Sequence, residues 1–358
     1  MADSRRRVSL KDLAQELGVS IATVSRALRS SPEIGKEMQQ RVKDLAQRLN
    51  YRPNPFARSL RRESPRVIGV VMPNLVSHYY AAVLDGIEDE AAKAGYSVIS
   101  ANSHEDFAAE ARAIDNFISL HVEGIVACLA QDTTDYSHFE ELAAMGIPLV
   151  FCGRTCLPDR FSSVTANGDE AARQATQHLI DTGRRPPCAG LGPRIAPGSR
   201  RIAFIGGPNH LDMVRRRKHG YLEALRDNRI AIDRTLVACD RIDYNVAMKA
   251  VGQMLARPDR PDAILAFNDT ITFAAFAAIK HMGLSIPDEV ALIGFTDDAH
   301  AAYVTPRLSA IVDQSHLMGV TACRMLLRNI AGDKAVCREV VPQQLVIRET
   351  SAKRRDLL

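Results

Sequence analysis

The chain has 358 residues, 46% of them apolar, and a formal net charge of +4. This length suits two or three domains, and the composition is that of a globular protein. No stretch stays apolar over the roughly 20 residues that a membrane helix needs, and the polar, basic N-terminus is unlike a signal peptide. The seven cysteines include no Cys-x-x-Cys pair, and the ten histidines lack metal-ligand spacing. We therefore expect a cytoplasmic protein that binds neither a metal nor a cofactor.

Residues 8–28 carry the pattern of a helix-turn-helix. Ser9 and Asp12 have the spacing of a capping box at the start of a first helix. Gly18 stands where the chain must turn, because glycine tolerates a positive φ, and Ser20 can cap a second helix. Four apolar side chains share the inner face of the first helix: Leu10, Leu13, Ala14 and Leu17.

The second helix of this motif is predicted to contact DNA. Val24, Ala27 and Leu28 can pack inward, which leaves outside a face of small polar and methyl-bearing side chains with arginine. Such a face suits the major groove, where base edges offer hydrogen-bond partners and thymine offers a methyl group. A plain helical hairpin without a nucleic-acid role is the alternative. The predicted DNA-contacting residues of this motif are Ser20, Ile21, Ala22, Thr23, Ser25, Arg26 and Arg29.

A further apolar stripe predicts a third helix, which completes an all-α DNA-binding head over residues 1–52. Residues 53–63 predict a hinge, in which Asn54 can cap a short helix. This helix can have only about seven residues, fewer than the roughly 12–15 needed for stability in isolation, so a partner would have to order it. Ala57 and Leu60 share one face, and Leu60 can part a base step from the minor groove. A plain interdomain linker is the alternative.

Positive charge is concentrated at the N-terminal end of the chain. Residues 1–64 carry 14 Lys and Arg against 7 Asp and Glu, whereas residues 65–358 carry 32 against 35. Such clustering is the electrostatic footprint of phosphate contact. The charge distribution therefore supports double-stranded DNA as the partner of the head and hinge.

Ordered landmarks extend over nearly the whole chain. They lie at residues 18–28, 57–60, 68–71, 124–126, 146–150, 201–208, 217–221, 267–269, 283–290 and 293–295. On these landmarks the chain resembles the LacI/GalR family of bacterial transcription regulators. The resemblance implies a homodimer that reads a near-palindromic operator under the control of a small-molecule effector.

Residues 64–358 predict an α/β core, because short apolar strands alternate with helical segments, as in parallel sheets with helices on both faces. The strands are predicted at 67–72, 97–101, 124–129, 148–152, 201–206, 235–239, 263–267 and 290–294. The resemblance implies a two-lobed, periplasmic-binding-protein-like core with chain crossings near residues 164, 296 and 312. The first lobe is then expected over 64–163 and 297–312, and the second over 164–296 and 313–358.

The cleft between such lobes is the expected effector site, because ligands of open α/β sheets bind beyond the carboxyl ends of the strands. The resemblance places Arg217 and Asp269 there, the arginine to bind oxygen atoms and the carboxylate to accept from hydroxyls. Tyr79 and Tyr80 can stack against a ligand. Surface salt bridges or helix caps are the alternative roles for the charged residues. The predicted effector-binding residues are Tyr79, Tyr80, Asn102, Arg154, Arg217, Arg241 and Asp269.

Three positions depart from the family pattern by the absence of an acidic residue. Gly153 stands where several members have an acidic ligand, Ala166 replaces the Asp of a common Asp-Asn pair, and Thr296 replaces an Asp after Gly-Phe. Fewer carboxylates beside the candidate arginines favour an anionic effector, such as a sugar acid or a sugar phosphate.

Residues 186–201 interrupt the family pattern. They contain four prolines and three glycines, which predict an irregular surface loop. A contact with the effector or with another protein is the alternative.

We interpret the chain as a sequence-specific DNA-binding transcriptional regulator, expected to be a repressor, whose effector is a sugar or sugar derivative. A solute-binding protein without a regulatory role would share the core, but it would need a signal peptide and no head, and residues 1–62 argue against it. An enzyme would need an acid–base or nucleophilic constellation, and neither a nucleophile elbow nor a Walker loop after a strand occurs.

The hinge interpretation can be tested with Leu60→Ala. Removal of the wedge should weaken binding to the specific operator and leave ligand binding unchanged, because the wedge contributes only when it lies between base steps. Fluorescence anisotropy with operator DNA and calorimetry with ligand measure the two affinities. Equal operator affinity of variant and wild type would exclude the wedge role.

Overall fold

The computed structural model describes residues 8–51, 65–182, 201–238, 240–296 and 299–352. They form two units, one on each side of the Pro65–Arg66 junction. The predicted hinge residues Asn54, Ala57 and Leu60 lie outside the described residues, as does the predicted insertion except for its last residue. Of the helices that are described, none is long and apolar enough to cross a membrane.

The helices of the first unit are α1 (Leu10–Leu17), α2 (Ile21–Leu28) and α3 (Lys36–Arg48). The helices of the second unit are α4 (His78–Lys93), α5 (Phe107–Ser119), α6 (Ser137–Ala144), α7 (Gly168–Asp181), α8 (Asp212–Asp227), α9 (Tyr244–Leu255), α10 (Asp269–His281) and α11 (Ser315–Ile330). Its strands are β1 (Val67–Met72), β2 (Ser97–Asn102), β3 (Gly124–Ala127), β4 (Leu149–Cys152), β5 (Ser162–Ala166), β6 (Ile202–Ile205), β7 (Val237–Ala238), β8 (Ala263–Ala266), β9 (Ala291–Phe295), β10 (Ser309–Val312), β11 (Arg338–Val341) and β12 (Gln344–Val346).

Local sequence sets the helix boundaries in the first unit. The capping box is confirmed: the backbone N–H of Ser9 donates to Asp12 Oδ2 at 2.7 Å, and the N–H of Asp12 donates to Ser9 Oγ at 3.4 Å. Gly18 ends α1 at a φ of +65°, and Ser20 Oγ accepts from the N–H of Thr23 at 3.0 Å at the start of α2. The three helices enclose one apolar cluster of Leu13, Ala14, Val24, Ala27, Val42, Leu45 and Ala46.

The second unit contains two six-stranded sheets with helices on both faces, which confirms the predicted fold class. The strand orders are β11-β5-β4-β3-β1-β2 and β12-β10-β9-β8-β6-β7. All neighbours are parallel except β10 and β12. We call the first sheet with α4, α5, α6 and α11 the first lobe, and the second sheet with α7 to α10 the second lobe.

The predicted division into lobes is wrong in the last third of the chain. Strand β10 was expected in the first lobe, but it pairs with β9 in the second. Helix α11 and strand β11 were expected in the second lobe, but α11 packs on α4 and β11 pairs with β5. The three crossings therefore follow Ala166, Val312 and Val341. The predicted crossings came from the family resemblance, and β11 and β12, with only four and three residues, are too short to show a strand period that would have corrected them.

Glycines allow helices in each lobe to cross at close range. A Cβ at Gly86 of α4 would lie 2.1 Å from the carbonyl oxygen of His316, and one at Gly319 of α11 would lie 2.0 Å from that of Val83. In the second lobe a Cβ at Gly220 of α8 would lie 1.9 Å from the carbonyl oxygen of Asp169. The atoms that such a Cβ would meet belong to the backbone, so these glycines fix the helix separation in both lobes.

We expect Gly220→Ala to lower the free energy of unfolding of the core by about 2 kcal/mol, because overpacking against a backbone atom forces the helices apart. Gly252→Ala in α9 is the matched control, since a Cβ there has no heavy atom within 4 Å. Alanine should stabilise that helix by up to about 1 kcal/mol. Urea denaturation followed by circular dichroism distinguishes the two. A Gly220→Ala core as stable as the Gly252→Ala core would show that the helices can separate freely.

Candidate DNA-contacting face and effector cleft

The predicted DNA-contacting face of α2 is exposed within the first unit. Val24 and Ala27 are fully buried, whereas Ile21 is 41% exposed and Ala22 and Arg26 are exposed as well. Ser20 and Arg29 are also exposed, and Thr23 and Ser25 are half-buried. The helix therefore presents the face that the sequence predicts.

The two arginines of this face make exposed contacts within the head. Arg26 Nη1 lies 3.3 Å from Glu33 Oε2, and Arg29 Nη2 donates to Ser25 Oγ at 3.1 Å. An exposed ion pair such as Arg26–Glu33 contributes little to stability. Arg26 can therefore exchange this contact for phosphate or base atoms at small cost.

A cavity of about 30 Å³ lies between the two lobes, at the carboxyl ends of the strands. Such a volume admits one or two water molecules, so a sugar enters only when the lobes separate. The cavity is lined by Ser77, Tyr79, Tyr80, Arg154, Met213, Arg217, Phe267, Asn268, Asp269, Phe295 and Asp313. Five of the seven predicted effector residues are in this set.

Arg217, on α8, is the central charge of the cleft and is 3% exposed. Its Nη1 donates to the carbonyl oxygen of Phe267, and its Nη2 lies 3.8 Å from Asp313 Oδ2. Its Cζ stands 3.8 Å from the ring centroid of Phe295 and 4.8 Å from that of Phe267. The pKa of Arg217 lies below its ordinary value because burial penalises the charge, although Asp313 opposes this effect. The side chain is thus held before any ligand arrives.

Arg154 follows β4 and is bound within the first lobe. Its Nη1 and Nη2 donate to the two carboxylate oxygens of Glu105 at 2.6 and 2.9 Å, and Nη1 also donates to the carbonyl oxygen of Leu129. Burial opposes the charge of Arg154, but Tyr80 and Glu105 outweigh it, so the pKa of Arg154 lies above its ordinary value. The geometry makes Arg154 a structural residue of the cleft wall.

The two tyrosines contact each other on α4, with ring centroids 5.0 Å apart in an edge-on arrangement. Burial raises the pKa of Tyr79 and of Tyr80 well above the ordinary value, so both hydroxyls stay protonated and can donate. A Cβ at Gly153, which has a φ of +84°, would lie 2.8 Å from the hydroxyl of Tyr79. The phenol therefore occupies the space that an acidic side chain at this position would need.

Two predicted effector residues lie outside the cavity. Asn102 Oδ1 accepts from the backbone N–H of His104 at 3.1 Å. Arg241 is exposed in the second lobe and reaches Asp132 of the first lobe at 3.1 and 3.2 Å. The geometry does not support direct contact of either side chain with a ligand in the cavity.

Contacts between the lobes surround the cavity. Besides the Arg241–Asp132 pair, the carbonyl oxygen of Gln131 lies 2.7 Å from His210 Nε2, and Gln131 Oε1 accepts from the N–H of Ile242 at 3.0 Å. Across the cavity, Ser77 Oγ donates to Asp269 Oδ2 at 3.0 Å. These polar contacts hold the lobes together and break when they separate.

Sequence reasoning missed three polar residues of the cleft, namely Ser77, Asn268 and Asp313. Asp313 lies at the second crossing and is 7% exposed, and Ser77 precedes α4. The Asp-Gln-Ser sequence that begins at Asp313 has no distinctive composition. The only signal that could have indicated Asp313 is its position at a crossing between the lobes. The sequence analysis placed a crossing near residue 312 but assigned the segments on its two sides to the wrong lobes.

Comparisons with known proteins agree with this architecture. Residues 9–54 match the family model described as bacterial regulatory proteins, lacI family, and residues 195–351 match a periplasmic binding protein-like domain. The ribose operon repressor of Bacillus subtilis is 30% identical over 319 residues, which cover 89% of this chain and 90% of that protein. Catabolite control protein A of Priestia megaterium is 28% identical over 326 residues, which cover 90% and 92%.

Two solved structures extend the likeness over the chain. The transcriptional regulator CelR in complex with cellobiose has a TM-score of 0.71 at 27% identity and covers 96% of this chain and 100% of that one. The lac repressor dimer bound to operator and the anti-inducer ONPF has a TM-score of 0.80 at 24% identity and covers 97% and 99%. The second of these supports the fold alone.

The buried ion pair can be tested by removing one partner at a time. Glu105→Gln should lower the free energy of unfolding by about 3 kcal/mol, because it leaves the buried charge of Arg154 without its carboxylate. The double variant Glu105→Gln/Arg154→Met should recover most of this loss, since it buries no charge. Urea denaturation measures both values. A double variant less stable than Glu105→Gln alone would contradict a structural role for the pair.

Proposed function

The chain belongs to the lacI family of bacterial regulatory proteins, and on that premise we propose that it is a DNA-binding transcription repressor controlled by an uncharged sugar. The observation that carries the DNA part is the exposed face of α2 on a capped, independently packed head. The observation that supports the effector part is the cavity between the lobes, with aromatic rings and hydrogen-bonding groups around it.

Two features of the head favour binding in the major groove. The start of α2 offers the small side chains Ser20, Ala22 and Thr23, which let the helix approach base edges. One turn further, Arg26 can bind guanine or a phosphate oxygen once it leaves Glu33. Two such heads in a homodimer would read the two halves of a near-palindromic operator.

The expectation of an anionic effector rested on arginines without acidic neighbours, and that premise is wrong. Arg154 is paired with Glu105, Arg217 faces Asp313, and Arg241 is paired with Asp132. Asp269 adds a further carboxylate to the cleft. An added anion would meet this negative charge, whereas a neutral polyol can donate to the carboxylates and accept from the phenols and guanidinium groups. An uncharged sugar therefore fits the cleft better.

The uncharged effector also agrees with the names of two similar proteins. One relative is a repressor of a ribose operon, and one solved neighbour contains cellobiose. Aromatic rings such as those of Tyr79, Tyr80 and Phe295 suit the apolar faces of a sugar ring, and Asp269 suits its hydroxyl groups. The sign of the response, induction or corepression, depends on which lobe arrangement the ligand favours.

The DNA part is tested by selecting binding sites from random duplex DNA with the purified full chain. We expect a near-palindromic consensus. Arg26→Ala should then bind the consensus about 10-fold more weakly, since a good arginine–base contact contributes about 1–3 kcal/mol. Lys249→Ala, which removes an exposed positive charge from α9 of the core, is the matched control and should bind as wild type. Enrichment without sequence preference, or equal loss in both variants, would overturn the assignment.

The effector part is tested by isothermal titration with uncharged mono- and disaccharides, including D-ribose and cellobiose, and with D-gluconate and ribose 5-phosphate as anionic counterparts. We expect saturable binding by an uncharged sugar and none by the anions, and we expect Arg217→Ala to abolish it. Binding of the anions without any uncharged sugar would refute the proposed class.

A further inference from the structure

The three crossings between the lobes are joined by one residue, through its backbone and its side chain. Gln343 lies in the third crossing, between β11 and β12. Its backbone N–H donates to Oδ1 of Asn167 in the first crossing at 2.7 Å. Its Nε2 donates to Oδ1 of Asp313 in the second crossing at 2.6 Å. Any rotation of one lobe against the other changes the backbone at these segments, because they are the covalent connections of the core.

The same network reaches the cleft through Asp313. While Oδ1 of Asp313 accepts from Gln343, its Oδ2 faces Nη2 of Arg217 at 3.8 Å. Both members of this ion pair are more than nine-tenths buried, so little solvent screens their attraction. The two oxygens of one carboxylate thus divide between a residue of the cleft and a residue of the crossings. A displacement of Arg217 therefore changes the electrostatic environment of the Gln343 contact.

Arg217 and Gln343 each have a buried polar atom without a hydrogen-bond partner among the described residues, namely Nε and Oε1. Both atoms face Gly168, where a Cβ would lie 3.5 Å from Arg217 Nε and 3.8 Å from Gln343 Oε1. The donor Arg217 Nε and the acceptor Gln343 Oε1 therefore both lie near the first crossing. Because neither atom has its hydrogen bond, the Arg217–Asp313–Gln343 network can form other hydrogen bonds when its surroundings change.

We propose that Asp313 and Gln343 are positioning residues that transmit a change at Arg217 to the three crossings on which the lobes turn. The inference rests on the proposed function of the cleft as the effector site. A ligand that draws Arg217 away from Asp313 frees the carboxylate to move with Gln343. The crossing segments then loosen together, because Gln343 also holds Asn167.

The chain provides a control for plain mechanical support. Gln314 Nε2 donates to the carbonyl oxygen of Pro342 at 2.9 Å, so it too joins the second crossing to the third. Its side chain is exposed and bonds to backbone rather than to Asp313. Gln343→Leu and Gln314→Leu therefore each remove one side-chain hydrogen bond between the same two crossings, and only the first interrupts the path to Arg217.

The test is a double-mutant cycle on the full chain without ligand, read by hydrogen–deuterium exchange of peptides that cover residues 338–347. We expect Arg217→Met and Gln343→Leu each to speed exchange at least fivefold, and the double variant to be no faster than Gln343→Leu alone. In the control cycle, the exchange rate of the double variant should rise by the product of the factors for Arg217→Met and Gln314→Leu. An unchanged exchange rate in Arg217→Met, or a rise by the product of the single factors in both cycles, would overturn the relay.

Exchange at residues 124–127, in the centre of the first sheet, verifies that every variant is folded. If Arg217→Met unfolds the core, Asp313→Asn replaces it in the same cycle, because it removes the charge and retains an oxygen for Gln343. The result is independent of the titration with sugars. If the chain binds no sugar but shows the expected double-mutant cycle, the relay stands and the proposed effector is refuted. If the chain binds a sugar but the effects multiply in both cycles, the proposed effector stands and the relay is refuted.

Discussion

The buried positive charge of Arg217 is the constraint around which the core is organised. A guanidinium that is 3% exposed needs compensation from the groups around it. Here a carboxylate from the second crossing, a backbone carbonyl after β8 and the ring of Phe295 at the end of β9 supply it. These groups come from separate segments of the chain, so the sheet must have its observed strand order for the charge to be tolerated. Stability of the core and the architecture of the cleft therefore have the same origin.

The glycine contacts give this charge a rigid frame. Where Gly86 and Gly319 let α4 and α11 cross at backbone distance, and Gly220 does the same for α7 and α8, no side chain can reorient to absorb a displacement. We therefore expect each lobe to move as one body, with the deformation at the three crossings. A close-packed interior of this kind favours a change between discrete arrangements over a gradual one.

Local patterns were sufficient for much of the fold but not for the pairing of distant segments. The capping box at Ser9, the turn at Gly18 and the eight predicted strands depend on residues within a few positions of each other. The structure contains the box, the turn and a strand in each predicted range, although of 235–239 only Val237–Ala238 is a strand. The lobe boundaries failed because β11 and β12 are too short to show a period. The partner of Arg154 lies 49 residues earlier, at Glu105, and no local signal connects them. The premise that the candidate arginines lack acidic neighbours was therefore wrong for a reason that only tertiary structure could reveal.

The small volume of the cavity has a consequence for ligand sensitivity. Since about 30 Å³ cannot contain a sugar, the apparent affinity equals the intrinsic affinity scaled by the fraction of molecules in the separated arrangement. Natural variation can therefore tune the response threshold at sites that never touch the ligand. The contacts of Gln131 with His210 and Ile242 form such a site, because their loss would enlarge that fraction while every residue that lines the cavity stays the same. Ligand sensitivity can then evolve through the contacts between the lobes, and ligand specificity can evolve independently through the residues that line the cavity.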